Sequence, residues 1–237
     1  MDTVTAVDYD REIKTKPVEQ IIDENYEPKA RDAKLRIDIV LDALKPCPGE
    51  KILDLGCGSG TFAFHCVRSG AVAVGLDYSN ESLRVACRLG ERFANRALFT
   101  LADARSLPFS DHRFDKVVAA DFVEHITRRD KDTVLKEIRR VLKEQGTAIV
   151  FTPNRIRERI GTAYWTMRHV LLGDSVPRYD LHFGLTDRSE FERLLRDNGF
   201  QFCLRYYDVT RPYLARIPLL RRILALNLLW VVQPKER

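Results

Sequence analysis

The segment Ile52-Leu53-Asp54-Leu55-Gly56-Cys57-Gly58-Ser59-Gly60 sets three glycines at alternate positions directly after a short apolar run. Glycines so placed allow a tight turn and a close approach of ligand to backbone. The spacing G-x-G-x-x-G, which seats a pyrophosphate on a helix N-terminus, is not kept. Thr61 stands where its third glycine would be, and Gly60 comes one residue early, giving G-x-G-x-G. Asp54 precedes the turn, so a ligand without phosphate suits it better than a bare anion does. A second carboxylate, Asp77, closes the run Gly75-Leu76-Asp77-Tyr78-Ser79. An acidic residue after the second strand of such a fold can bind both hydroxyls of a ribose. Asp121, Glu124 and His125 then gather two carboxylates and an imidazole within one turn. That set has three readings. His125 is a general base near neutral pH; or it holds a divalent ion together with Asp121 and Glu124; or it is a hydrogen-bonding residue that orders its loop.

These residues need a scaffold, and the hydrophobic pattern supplies one. Lys51–Leu55, Val72–Asp77, Ala97–Asp103, Phe114–Asp121 and Thr147–Thr152 read as short apolar strands. Between them lie helical patterns over Thr61–Ser69, from Asn80 with Ser79 as cap, and over Asp130–Lys143, with Gly146 read as the stop of the last. Strands alternating with amphipathic helices predict an α/β fold, its parallel sheet covered on both faces. Ligands of such sheets bind at the carboxyl ends of the strands, where Gly56 and Asp121 fall. Upstream, residues 29–45 have helical spacing and residues 1–28 read as a loosely packed arm with a short helix. Downstream, Thr186 is the expected cap of a helix carrying Phe191, Leu194 and Leu195 with Gly199 as its stop, and Phe200–Val209 and Asn227–Gln233 read as two further strands. Residues 155–183 fit no strand–helix repeat and read as an insertion on the substrate side. The division predicted is an N-terminal helical arm over 1–45 and one domain over 46–237.

The stretch Ile52–Gly60 resembles motif I of class I methyltransferases, and the strand order after it is similar over roughly residues 30–210. The resemblance implies a Rossmann-like three-layer sandwich with a mostly parallel seven-stranded sheet and an antiparallel last strand. It implies S-adenosylmethionine as cofactor, met by Asp54, Gly56, Cys57, Gly58 and Gly60. Asp77 is similar to the ribose-binding carboxylate of that family, with Tyr78 against the adenine. Ala102-Asp103-Ala104 resembles its adenine turn, Asp103 accepting from the exocyclic amine and the Ala104 amide meeting a ring nitrogen. Asp121 belongs to the same cofactor set, and His125 is the catalytic candidate. Asp121-x-x-Glu-His and Phe151-Thr152-Pro153-Asn154 are similar to the small-molecule branch, which includes quinone-biosynthesis O-methyltransferases and type 11 and 12 methyltransferase domains. The expected reaction is methyl transfer to an O or N nucleophile of a small molecule: a lipophilic quinol, a lipid or a natural product. A divalent metal is not part of the expectation. The alternatives are a protein or RNA methyltransferase and a non-catalytic adenosylmethionine-binding regulator. The N-P-P-Y type motif of base methylation is absent, which argues against nucleic acid.

Charge and composition bound the partners. The 237 residues carry 39 Lys and Arg against 34 Asp and Glu, and the surplus is uneven. Residues 154–237 hold 15 of the basic and 9 of the acidic groups, a net of +6. Five cysteines at 47, 57, 66, 87 and 203 form neither a C-x-x-C pair nor a zinc spacing. With no signal-like N-terminus, they point to a reducing cytoplasm. The run Ile223–Val232 is about half the length of a membrane span. Residues 211–224 interleave Arg211, Arg216, Arg221 and Arg222 with large apolar residues. That pattern fits a peripheral membrane contact, packing on the sheet, or a homodimer face. His182 is a second acid–base or metal-ligand candidate.

Overall fold

The computed structural model describes residues 10, 13–172, 184–208 and 221–235. Its centre is a seven-stranded sheet: β1 (Lys51–Leu55), β2 (Val72–Asp77), β3 (Leu98–Leu101), β4 (Phe114–Ala120), β5 (Leu142–Pro153), β6 (Phe200–Tyr207) and β7 (Asn227–Pro234). The order across the sheet is β3-β2-β1-β4-β5-β7-β6. β1 to β5 pair in parallel, and β7 runs antiparallel to both β5 and β6.

Period-two alternation puts Leu53, Leu55, Val117, Ala119, Ala148, Val150 and Trp230 on one face of the sheet. Ile52, Val118, Ala120, Ile149, Phe151 and Leu229 point to the other. Both sets are buried, as a sheet covered by helices on both sides requires. The first face packs on α5 (Arg128–Val141) through Val134, Leu135 and Ile138, and on α7 (Arg188–Asp197) through Phe191, Leu194 and Leu195. The second packs on α2 (Arg31–Leu44) through Ile39, Val40 and Leu44, and on α3 (Thr61–Arg68) through Phe62, Ala63 and Cys66. Three layers result. Two helices start on side-chain caps: Ser79 accepts from the Ser82 amide at the head of α4 (Asn80–Arg92), and Thr127 accepts from the Asp130 amide at the head of α5.

The structure corrects three sequence expectations. The N-terminal arm is not loosely packed over residues 18–26. There α1 (Val18–Ile21) runs into a π-helical turn (Ile22–Tyr26), and Ile21, Ile22 and Tyr26 are buried with Phe64 and Leu89. Gly146 does not stop a helix, because α5 ends at Val141 and Leu142 already has extended geometry. Gly146 lies inside β5, where a Cβ would come 2.7 Å from Leu142 and 2.9 Å from the Asp115 carbonyl oxygen. The residue is demanded by close packing rather than by termination. At the head of α7 the cap is Asp187, not Thr186, and its carboxylate faces Arg155 at 3.2 Å instead of a helix amide.

Past β5, α6 (Arg155–Leu172) fills most of the expected insertion, and α8 (Arg221–Leu224) precedes β7. His182 and residues 211–220 lie outside the described residues.

Candidate active site

The turn after β1 follows from its glycines. Gly56, Gly58 and Gly60 take φ of 71°, 51° and 88°, a region that side chains other than glycine adopt at a cost. Gly56 is further confined by the Phe122 ring, which would overlap any Cβ there. Gly58 differs, since a Cβ at that position would meet no atom within 4 Å. The loop is therefore packed on one side and open at Gly58, which is the side a ligand can approach.

Asp77 stands on the rim of this opening. One carboxylate oxygen accepts from the Gly58 amide at 2.8 Å and the other from the Ser79 amide at 2.9 Å. Each oxygen keeps a lone pair, so the group can still accept from two hydroxyls. Burial pushes its carboxyl up, and the Ser79 and Gly58 amides pull it back. Tyr78 beside it is exposed. These features fit a nucleoside with a free ribose diol.

Asp54 behaves differently. It is buried and accepts from the Ala63 amide at 2.9 Å, inside the first turn of α3. It ties strand to helix behind the loop rather than facing the open side. Burial raises its carboxyl to about 7 despite the Ala63 amide. Cys57 is buried against Gly75, and desolvation lifts its thiol well above the usual range. At the end of β3, Asp103 is exposed and forked by Arg105 at 2.6–3.1 Å, which holds its carboxyl below the usual value. Ala104 is half-buried next to it.

The end of β4 holds Asp121 at a φ of 52°, with its amide donating to the Phe151 carbonyl. Its carboxylate is paired with Arg36 of α2. Arg36 also reaches Asn25 at 3.3 Å and lies over the Phe62 ring. Asn25 accepts from the Thr61 hydroxyl at 2.9 Å, and the Tyr26 hydroxyl donates to the Ser59 carbonyl at 2.5 Å. Tyr26, Asn25 and Arg36 thus clamp the glycine turn and the end of β4 from the N-terminal side. Motif reading missed all three. The signal available was the apolar pair Ile21-Ile22 followed by Tyr26, a buried helical face inside a polar segment.

Glu124 and His125 sit in a 3-10 turn, Val123–His125. Glu124 is buried and accepts from the Thr152 hydroxyl at 2.9 Å, whereas His125 is half-buried. With Asp121 turned to Arg36 and Glu124 turned to Thr152, the three do not converge. Among the described residues no group of three His, Cys, Asp or Glu side chains could hold a metal ion. The turn is braced from outside. Lys131 is buried and donates to the Ile126 carbonyl at 2.9 Å and to the Gly184 carbonyl, and the Gly184 amide donates to the Glu124 carbonyl at 2.8 Å. Burial lowers the Lys131 ammonium to about 8. A side chain on residue 184 would collide with the Ile126 carbonyl.

On the same edge of the sheet, a cavity of about 440 Å³ opens between the end of β5 and α7. Asn154, Ile156, Arg188, Tyr206, Arg222 and Leu228 are among its walls.

Comparison with known proteins adds to this geometry. Residues 52–146 match the family described as a methyltransferase domain. A ubiquinone biosynthesis O-methyltransferase of Chelativorans sp. (strain BNC1) is 33% identical over 159 residues, 66% of this chain and 61% of that protein. A demethylmenaquinone methyltransferase of Clavibacter sepedonicus is 38% identical over 110 residues, 46% of this chain and 43% of that protein. The chain spans about half the length of the curated relatives it matches. Its fold is similar to that of phosphoethanolamine N-methyltransferase 2 of Haemonchus contortus in complex with S-adenosyl-L-methionine. The TM-score is 0.69 at 17% identity, over 99% of this chain and 61% of that one.

Proposed function

We propose that this chain, whose residues 52–146 match a methyltransferase domain, uses S-adenosylmethionine to methylate an oxygen or nitrogen nucleophile of a small molecule of the lipophilic quinol, lipid or natural-product kind. The observation that carries this reading is the glycine turn, open at Gly58 with the Asp77 carboxylate fixed on its rim by two backbone amides. The quinone chemistry named for two of the relatives supports the acceptor class.

S-adenosylmethionine supplies a methyl group activated by the positive charge on sulfur. The chain's own part is binding and alignment, which can be worth about 7–11 kcal/mol of barrier. Asp77 would accept the ribose hydroxyls and Tyr78 would cover the base. Gly56, Cys57, Gly58 and Gly60 give the backbone shape, and Asp54 holds that backbone to α3. Asp103 and Ala104 would meet the adenine edge, Asp103 staying ionised beside Arg105. Asp121 and its partner Arg36 present a carboxylate and a guanidinium, matching the two charges of an amino acid end. His125 would take the proton of the acceptor, a contribution of about 10²–10⁴-fold where a hydroxyl reacts.

The test is calorimetry with S-adenosylmethionine and a methyl-release assay across quinols, lipids and natural-product phenols. Asp77→Ala is expected to weaken cofactor binding by about 1.5–3 kcal/mol, the range for a hydrogen bond to a charged group. Unchanged affinity in a folded variant would remove the ribose assignment. Preference for NAD would remove the whole reading.

A further inference from the structure

We propose that α6 is a membrane-docking helix that lays the molecule on an anionic lipid surface. The inference goes beyond the methyl-transfer reading and rests on the helix alone. Ile156, Ile160, Tyr164, Met167, Val170 and Leu171 are all exposed, Val170 at 75% and Leu171 at 70%. At about 100° per residue they fall within one arc of roughly 120°. A surface helix of a globular protein turns such a stripe to the core. This one turns it outward, and the half-buried positions Arg155, Arg157, Glu158, Gly161 and Arg168 all lie outside that arc.

The borders of the stripe identify what covers it. Arg157 and Arg168 flank one edge and Arg159 the other, next to Arg155, which pairs with Asp187 at 3.2 Å; Glu158 is the only acidic residue in the helix. An apolar stripe edged by arginines on both sides is the pattern of a helix lying in the headgroup layer, apolar residues in the acyl boundary and guanidinium groups on phosphates. A second copy of the chain fits less well. Two such faces would bring arginine rims together with one glutamate apiece to answer them, a juxtaposition that costs binding. The base of the helix also adjoins the cavity beside β5, since Arg155 and Ile156 line it. Docking therefore sets that cavity near the lipid, where a lipophilic acceptor resides.

The experiment is co-sedimentation with vesicles of phosphatidylcholine alone and of equimolar phosphatidylcholine and phosphatidylglycerol, with neither cofactor nor acceptor present. Its outcome is thus separate from that of the methyl-transfer reading. Binding is expected to the anionic vesicles, with part of it surviving at about 0.5 M salt because apolar insertion is not screened. Ile160→Glu with Leu171→Glu is expected to lower the partition at least about tenfold. Arg159→Gln, which leaves the stripe intact, is expected to lower it about fivefold at low salt. Both changes lie on exposed positions, and unchanged thermal melting shows that the fold is kept. No binding to anionic vesicles at low salt overturns the proposal. So does binding that the two glutamates leave unchanged. Dimerisation in sedimentation velocity that the glutamates abolish, without vesicle binding, assigns the stripe to a second copy and overturns it equally.

Discussion

At the scale of single residues, the carboxylates of the site divide by what faces them. Asp77 carries two amides on the rim of an opening, while Asp54 is enclosed and meets one helix amide. Enclosure makes the charged form of Asp54 costly, so its folded value stands at about 7, above the ordinary value of 3.8. The stability that follows is fully present below about pH 4 and is lost as pH rises through 7. Asp54→Asn keeps an oxygen for the Ala63 amide and never ionises. Melting curves are therefore expected to favour the Asn variant increasingly from pH 4 to 8, at about 2–4 °C per kcal/mol. A parallel shift at every pH would contradict the burial argument. His125 is open to a second measurement. As a base, His125→Gln lowers the methyl-transfer rate about 10²-fold or more and removes the acidic limb of the pH profile. As an ordering residue it lowers the melting temperature and leaves that limb in place.

At the scale of elements, the N-terminal helices are part of the site. Tyr26→Phe deletes the donor to the Ser59 carbonyl, leaving that oxygen in a buried setting. The expected cost is about 1–3 kcal/mol in a melting experiment, with weaker cofactor binding because the glycine turn loses its tether. Full retention of both would show that the tether is incidental. Lys131 makes a comparable bridge between α5, the loop after β4 and residue 184. Lys131→Met is expected to lower stability by about 2–5 kcal/mol, since two buried carbonyls lose their donor. Lys131→Arg is expected to fall between the two if the site accommodates the larger head. Hydrogen exchange at the Gly184 amide, which donates to the Glu124 carbonyl beside that bridge, reports whether the bridge holds residue 184 in place, and protection unchanged in the Met variant would show that it does not.

At the scale of the whole molecule, much was legible in the sequence because binary pattern and motif agree. β1 and β2 are near-continuous apolar runs with glycines close by, β4 ends in the unbroken run Val117-Val118-Ala119-Ala120, and the G-x-G-x-G turn marks the ligand edge of the sheet. Legibility failed where one residue type serves two ends. Gly146 carries the same letter as a helix stop, and only the packing of Leu142 and Asp115 around it shows why glycine is needed inside β5. The clamp by Asn25, Tyr26 and Arg36 was hidden because its partners are 33 to 85 residues away. Asp121 and Glu124 looked like neighbours in sequence, yet the left-handed turn at Asp121 and the inward course of Glu124 send them to different partners. The outward stripe of α6 was concealed by its place in a stretch without repeat character.

The sheet order also has a consequence for how this molecule is made. β7 follows β1 to β6 in the chain, but it stands inside the sheet, hydrogen-bonded to β5 on one side and β6 on the other. Until residues 227–234 emerge, β5 offers a long unpaired edge and β6 has no neighbour. The pocket in the core that receives Trp230 and Leu229 stays unfilled. The nascent protein therefore waits, with five parallel strands formed and one flank raw, for the β7 segment to wedge in and seal it. Pairing across so large a sequence separation is slow, and raw edges associate. A version cut before Asn227 is expected to accumulate in the insoluble fraction and to be rescued by supplying the missing strand as a separate peptide. If it stays dispersed and folded alone, the seal is dispensable.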